Sequence, residues 1–184
     1  MKKTLIIIYS LIFIGCGKSR EERKEQHENE KRNYEANISI EHKNAINQVF
    51  ENEKYLEISE ITSKNKILVL QKWKGEIIPY TEINNKLKDK GFNIEFDSNN
   101  VDYIVCVKST GIKAGNYTDG SNAWDTKTEI FVIDSKNNNE IFLIASDYQK
   151  IPETIRTHRN SEPGNYGSRG LEGNELAELI KSKI

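Results

Sequence analysis

The amino-acid sequence predicts an α+β fold, with a mostly antiparallel sheet of four or five strands and helices packed mainly on one face. Apolar runs of strand length at residues 66–73 and 101–108 predict buried strands. Apolar residues three and four positions apart predict helices before and between them. The later strands follow one another without intervening helices, which is typical of α+β folds and not of a doubly wound parallel sheet.

The first half of the folded region predicts two helices and two strands. An amphipathic helix ending near Tyr55 is followed by the strand KILVLQKW, residues 66–73. A second helix starts around Pro79 and ends at Gly91, since glycine commonly terminates helices. The alternating residues of FNIEF, 92–96, predict a strand with one face in water. The inward side of the first helix has four apolar residues: Ala45, Ile46, Val49 and Phe50.

The second half predicts three strands and a closing helix. The run at 101–108 predicts a second buried strand. Residues 127–134 and 140–147 predict a hairpin, because two apolar strands flank the short polar connection SKNNN. Residues 174–184 predict a helix with acidic residues near its start and lysines near its end, which complements the helix dipole.

Two segments rich in polar residues and glycine contain the candidate binding residues. Residues 109–126 predict a loop, or a strand with a long irregular tip, whose aromatic and acidic side chains suit a carbohydrate or a peptide, or else attach the loop to the core. Residues 152–173 predict a second loop, with basic residues that suit a carboxylate or phosphate if it folds over, and that are otherwise solvated. The candidates are Tyr117, Asp119, Trp124 and Asp125 on the first loop, and Arg156, His158, Arg159 and Arg169 on the second.

Composition and motifs argue against several function classes. The formal net charge of −1 is not the basic footprint of a nucleic-acid-binding protein, so no nucleic-acid partner is predicted. The glycines spaced three apart before the last helix lack the Gly-Lys-Ser/Thr of a phosphate loop. The sequence contains no Gly-x-Ser-x-Gly motif and no His/Cys cluster with metal-ligand spacing. We therefore predict no catalytic residue, cofactor or metal, and interpret Cys106 as a buried apolar residue.

The N-terminal segment has the organisation of an export signal. Two lysines precede an apolar stretch at residues 5–14, and the sequence turns abruptly polar after Cys16. A stretch of ten residues is too short for a finished membrane-spanning helix, which needs about 20. The segment is therefore predicted to direct export.

The end of this segment, Phe13-Ile14-Gly15-Cys16, resembles the lipobox of bacterial lipoproteins, although Phe13 stands where leucine is usual. The resemblance implies that a diacylglycerol is joined to the Cys16 thiol and that residues 1–15 are removed. The new amino group is often acylated as well. Because each buried methylene contributes about 0.8 kcal/mol, two or three acyl chains hold a protein firmly to a membrane. The alternatives are an uncleaved apolar N-terminus or an ordinary secreted protein.

Residues 16–37 are predicted to form the lipidated cysteine and a charged tether, and 38–184 a single α+β domain. The segment 17–33 has six basic and five acidic side chains and no large apolar residue, so it predicts a flexible tether or a frayed, solvated helix. Its "KSREE" is similar to signals that send some lipoproteins to the cell surface. The predicted location is thus lipid-anchored in the cell envelope, at the outer membrane, with surface exposure as an alternative.

Three functional hypotheses follow from this organisation. The first is a non-enzymatic, lipid-anchored domain whose partners are the membrane, through Cys16, and another envelope protein. The second is an inhibitor or immunity-type lipoprotein that neutralises a toxin or hydrolase. The third is an atypical hydrolase, which would need a pocket between the two loops and a carboxylate with a raised pKa inside it.

Overall fold

The computed structural model describes residues 19–51, 65–137, 139–154 and 164–184. This part of the chain forms four helices and seven strands. In chain order they are α1 (Arg20–Asn37), α2 (Ile40–Glu51), β1 (Lys66–Trp73), β2 (Glu76–Pro79), α3 (Thr81–Asp89), β3 (Asn93–Ile94), β4 (Tyr103–Asn116), β5 (Asn122–Asp134), β6 (Glu140–Gln149), β7 (Asn165–Gly167) and α4 (Gly173–Lys181). The predicted helix end near Tyr55 lies outside the described residues.

All seven strands belong to one sheet, in the order β2-β1-β4-β5-β6, with β3 beside β1 and β7 beside β5. The α+β class is confirmed, but the sheet is larger than predicted and partly parallel. β1 pairs in parallel with β3 and β4, and β5 with β7, while the other pairs are antiparallel. The connection from β1 to β4 passes through α3, which provides the long crossover that parallel pairing needs. β2 and β7 are too short to show a sequence period, and β3 includes only two residues of the predicted strand 92–96.

Helices cover both faces of the sheet, so the prediction of helices mainly on one face is wrong. Successive residues of a strand point to opposite faces, and all of residues 67–70 in β1 are buried. Leu68 and Leu70 contact the core beneath α2, which also contains Tyr34 of α1, and we call this side the α2 face. Ile67 and Val69 contact the core beneath α3 and α4. A strand buried on both sides requires a helix layer on each.

The charged segment 17–33, predicted as a flexible tether or a frayed, solvated helix, contributes most of a helix that packs on the sheet. α1 begins with a capping box, in which the Ser19 hydroxyl accepts from the Glu22 amide (3.1 Å) and the Glu22 carboxylate accepts from the Ser19 amide (2.7 Å). Glu30 and Tyr34 are buried. The packed part of the chain therefore begins well before residue 38. Sequence pattern did not indicate this because the residues that dock α1 are mainly polar.

Four polar side chains of α1 join it to β2 and α3. Thr81 donates to the buried carboxylate of Glu30, and a ring nitrogen of His27 is 3.0 Å from the Thr81 hydroxyl. The other two contacts run from Gln26 Nε2 to Asn85 Oδ1 (3.1 Å) and from Lys31 Nζ to Glu76 Oε2 (2.6 Å). Because α3 and Tyr34 lie on opposite faces, α1 crosses the outer edge of β2. A helix in this position covers an edge strand that would otherwise be open.

Asn84 of α3 fills a gap in the hydrogen bonding of β1. On this edge β2 pairs as far as Leu70 and β3 as far as Ile67, which leaves Val69 between them. The fully buried Asn84 amide accepts from the Val69 N–H (2.9 Å) and donates to the Val69 carbonyl (3.0 Å). The Val69 carbonyl also accepts from the Tyr80 amide (2.8 Å), so Asn84 is the partner of the Val69 N–H and shares the carbonyl. This double contact fixes α3 against the sheet.

We expect Asn84→Ala to lower the free energy of unfolding by about 1–3 kcal/mol, because it leaves the buried Val69 N–H without a partner, while the Val69 carbonyl keeps its hydrogen bond from the Tyr80 amide. Asn85→Ala is the matched control, since Asn85 makes one partly buried side-chain contact, with Gln26. Its expected cost is about 1 kcal/mol. Urea denaturation of both variants measures the difference, and equal losses would contradict this role for Asn84.

Candidate functional site

The segment 109–126 is a strand pair with a short turn, so the strand of the second predicted alternative is present but its long irregular tip is not. β4 continues to Asn116 and β5 starts at Asn122, so only residues 117–121 form the turn, which we call the hairpin tip. The pairing register shifts between Lys113 and Gly115, where Gly115 has a positive φ of 154°. Such bulges and glycine-rich strands lack the apolar alternation that marks a strand in sequence.

Tyr117 and Asp119 stabilise the hairpin tip. The Tyr117 hydroxyl donates to the Pro152 carbonyl (2.7 Å), and its ring lies edge-on to Tyr166 with centroids 6.1 Å apart. The Asp119 carboxylate accepts from the Ser121 amide at 2.9 Å. This hydrogen bond and a second one from the Ser121 side chain hold the pKa of Asp119 below its ordinary value. Both side chains therefore form contacts within the protein.

Trp124 and Asp125 point to opposite faces of β5. The partly buried Trp124 ring packs over Gly111, where a Cβ would lie 3.7 Å from the ring. Asp125 is buried and accepts from the Tyr148 hydroxyl (2.5 Å) and the Ile151 amide (2.8 Å). These two hydrogen bonds lower its pKa, the tyrosine contributing most. Neither Asp119 nor Asp125 is the carboxylate of raised pKa that the hydrolase hypothesis requires.

The two predicted loops meet as neighbouring strands. β7 pairs with residues 122–124 of β5, and Asn122 Nδ2 donates to Asn165 Oδ1 at 2.8 Å. Arg169 follows β7 with an exposed side chain that pairs with Glu172 (3.3 Å). Three other candidates, Arg156, His158 and Arg159, lie outside the described residues.

Residues 168–170 pack directly on the sheet. The Ser168 amide donates to the Trp124 carbonyl (2.8 Å), and the Thr126 hydroxyl donates to the Ser168 carbonyl (2.9 Å). Gly170 approaches so closely that a Cβ there would be 2.9 Å from Thr126 Cγ2 and 3.3 Å from Thr128 Oγ1. The close approach leaves no room for a side chain at position 170.

One edge of β4 is open along its second half. β1 pairs with β4 only as far as Val107, and from Lys108 onward no described strand lies on that side. Residues 109–114 are exposed on both faces of the sheet. Unpaired N–H and C=O groups on such an edge are a template for another extended chain. We call residues 108–116 the open edge.

The open edge has exposed apolar and basic side chains beside it. Ile112 lies on it and is 38 % exposed, and Trp73, at the neighbouring end of β1, is 58 % exposed. Four lysines lie on or next to this edge and form no ion pair with a described residue: Lys72, Lys74, Lys108 and Lys113. Sequence analysis missed this surface because it arises from the different lengths of β1 and β4.

Comparisons with known proteins do not assign the chain to a family. No protein-family model matches it, and no curated protein matches it. Within the described ranges, no group of three His, Cys, Asp or Glu side chains is placed to hold a metal ion. Among the same residues, none of the helices is both long enough and apolar enough to cross a bilayer. Cys106 is fully buried, and burial raises the pKa of its thiol.

We expect Gly170→Ala to destabilise the protein by about 1–3 kcal/mol, since the new methyl group overpacks the contact with Thr126 and Thr128. Gly167→Ala is the control, because a Cβ at Gly167 has no described neighbour closer than 3.9 Å. Thermal unfolding of both variants compares them. A Gly170 variant as stable as the Gly167 variant would contradict the close packing of residues 168–170.

Proposed function

We propose that this chain is a lipid-anchored cell-envelope protein, held to a bacterial membrane by acyl groups on Cys16, whose non-catalytic domain binds another envelope protein. The observation that carries the proposal is the sequence around Cys16. An apolar run ending in Phe13-Ile14-Gly15 precedes it, and a charged helix, α1, follows almost at once. The leader and Cys16 lie outside the described residues, so the anchor rests on the sequence.

The start of α1 near the lipid would hold the domain close to the bilayer. Ser19, the cap of α1, is three positions after Cys16, and three extended residues reach about 11 Å at most. The 18 residues of α1 span about 27 Å and dock against β2 and α3. In this proposal α1 acts as a stiff arm that restricts both the height and the orientation of the domain, in place of a flexible tether or a solvated helix.

The open edge supports the protein-binding half of the proposal. An extended segment of a partner can add to it as a further strand, with main-chain hydrogen bonds giving affinity. The lysines beside the edge, which form no ion pair with the described part of the chain, favour an acidic segment, and they oppose pairing between two copies of this chain. The inhibitor hypothesis is a special case, in which the partner is a toxin or hydrolase.

We expect Cys16→Ser to release the protein from membranes, because no acyl chain can then be attached at that position. Membrane fractionation after carbonate washing, with intact-mass measurement of the purified protein, tests this outcome. Cys106→Ser is the matched control and should stay in the membrane fraction. Continued sedimentation of the Cys16 variant with lipid, or a mature chain that retains residues 1–15, would overturn the anchor.

We expect a photo-crosslinking residue at Ile112 to trap a discrete adduct in intact cells. The same residue at Lys88, exposed on α3, is the control and should give none. A further Lys113→Glu substitution should reduce the Ile112 adduct at least several-fold by repelling an acidic strand. Absence of an adduct at Ile112, or equal adducts at both sites, would count against the open edge as the contact surface.

A further inference from the structure

A polar cleft of about 460 Å³ lies at the end of the sheet opposite the hairpin tip. Its floor is formed by Lys66 at the start of β1, Asp102 directly before β4 and Ser135 directly after β5. The Asp102 amide donates to the Lys66 carbonyl (2.8 Å), and the Ser135 amide donates to the Asp102 carbonyl (3.0 Å). By strand alternation from Leu68, the Lys66 side chain lies on the α2 face, and His42 of α2 lines the same cleft.

Asp102 is already fully engaged within the protein. Its carboxylate accepts from the Lys66 amide (2.8 Å) and from Asn65 Nδ2 (3.4 Å), and it forms an ion pair with Lys136. Burial alone would raise its pKa, but these hydrogen bonds outweigh burial and lower it. Asp102 therefore shapes the floor and offers little further accepting capacity to a ligand.

Other groups lining the cleft have no partner among the described residues. His42 is only 9 % exposed, and its Nδ1 atom is buried without a hydrogen bond, as is Ser135 Oγ. The Lys66 ammonium and the Asn93 amide also line the cleft and form no side-chain contact with the described part of the chain. Buried polar atoms without partners cost about 1–3 kcal/mol each, so their presence together in one cleft needs an explanation.

We propose that this cleft binds a small molecule bearing one carboxylate. Lys66 and Lys136 outweigh Asp102 by one positive charge, which matches a monoanion. Lys66 and Asn93 provide donors for the carboxylate oxygens, and the buried Ser135 hydroxyl becomes a third donor by rotation about its Cα–Cβ bond. Burial lowers the pKa of His42, which favours the neutral ring beside the cleft. The cleft volume suits a sugar acid or a dipeptide.

The same residues do not form a nucleophilic triad. Ser135 Oγ and His42 Nδ1 lack a hydrogen bond to each other, and Asp102 pairs with Lys136 and not with His42. A serine nucleophile needs both of those contacts, one to remove its proton and one to orient the base. The cleft is therefore assigned to binding, and the assignment is independent of the open edge.

Calorimetric titration of the full-length chain in detergent micelles tests this site with two carboxylate probes, glucuronate and dialanine. Their neutral counterparts, glucose and dialanine amide, are the ligand controls. We expect at least one carboxylate probe to bind saturably and its neutral counterpart not to bind. The probe that binds distinguishes a saccharide source from a peptide source of the carboxylate.

Lys66→Met should weaken binding of that probe by about 10-fold or more, and Ser135→Ala by several-fold. Lys88→Met, which removes an exposed charge on α3, should leave binding unchanged. Thermal unfolding confirms that each variant is folded, and if Lys66→Met does not fold, the test depends on Ser135→Ala. The site would be overturned by no saturable binding up to about 50 mM, by equal binding of the neutral probes, or by equal affinities of the folded cleft variants and the Lys88 variant.

Discussion

The structure depends on shielding its central strands from water on both faces. Residues 67–70 of β1, 104–107 of β4 and 130–133 of β5 are all buried, so each strand is apolar without alternation. In such strands a slip of one residue does not move polar side chains into the core, and the apolar pattern specifies register weakly. Polar contacts supply what the pattern lacks. Asn84 holds α3 at Val69, and Asp102 holds the start of β4 against β1.

The parts of the fold that sequence predicts are those that follow from local apolar pattern. The runs at 66–73 and 101–108 indicated buried strands, and the spacing of Ile83 and Leu87 indicated α3. Those unbroken runs also implied that helices cover both faces of the sheet, but the prediction placed the helices mainly on one face. β2 and β7 are strands because neighbours pair with them, and α1 docks through polar side chains. These elements depend on tertiary contacts that carry no periodic signal.

The sequence predicted which residues lie together in the candidate site, but not what their side chains do there. Tyr117, Trp124 and Asp125 do lie in one region, yet their contacts are with Pro152, Gly111 and Tyr148, within the protein. Aromatic and acidic residues on a glycine-rich hairpin look the same in sequence whether they bind a ligand or hold the turn. The open edge and the polar cleft have no local signal. The open edge arises because β4 extends beyond the end of β1. The cleft brings together residues as far apart in the sequence as His42 and Ser135.

The position of α1 links the proposed anchor to the surfaces that remain open. α1 crosses the outer edge of β2, so the strand nearest the arm is covered, while the second half of β4 is not. The docking contacts of α1 are mostly exposed or partly buried polar pairs, which contribute little to stability, with Tyr34 as the apolar exception. We expect this interface to be weaker than the packing of the helices on the two faces of the sheet. With Cys16 anchored as proposed, the docked α1 would restrict the angle between the open edge and the bilayer, and detachment of α1 from β2 would remove that restriction.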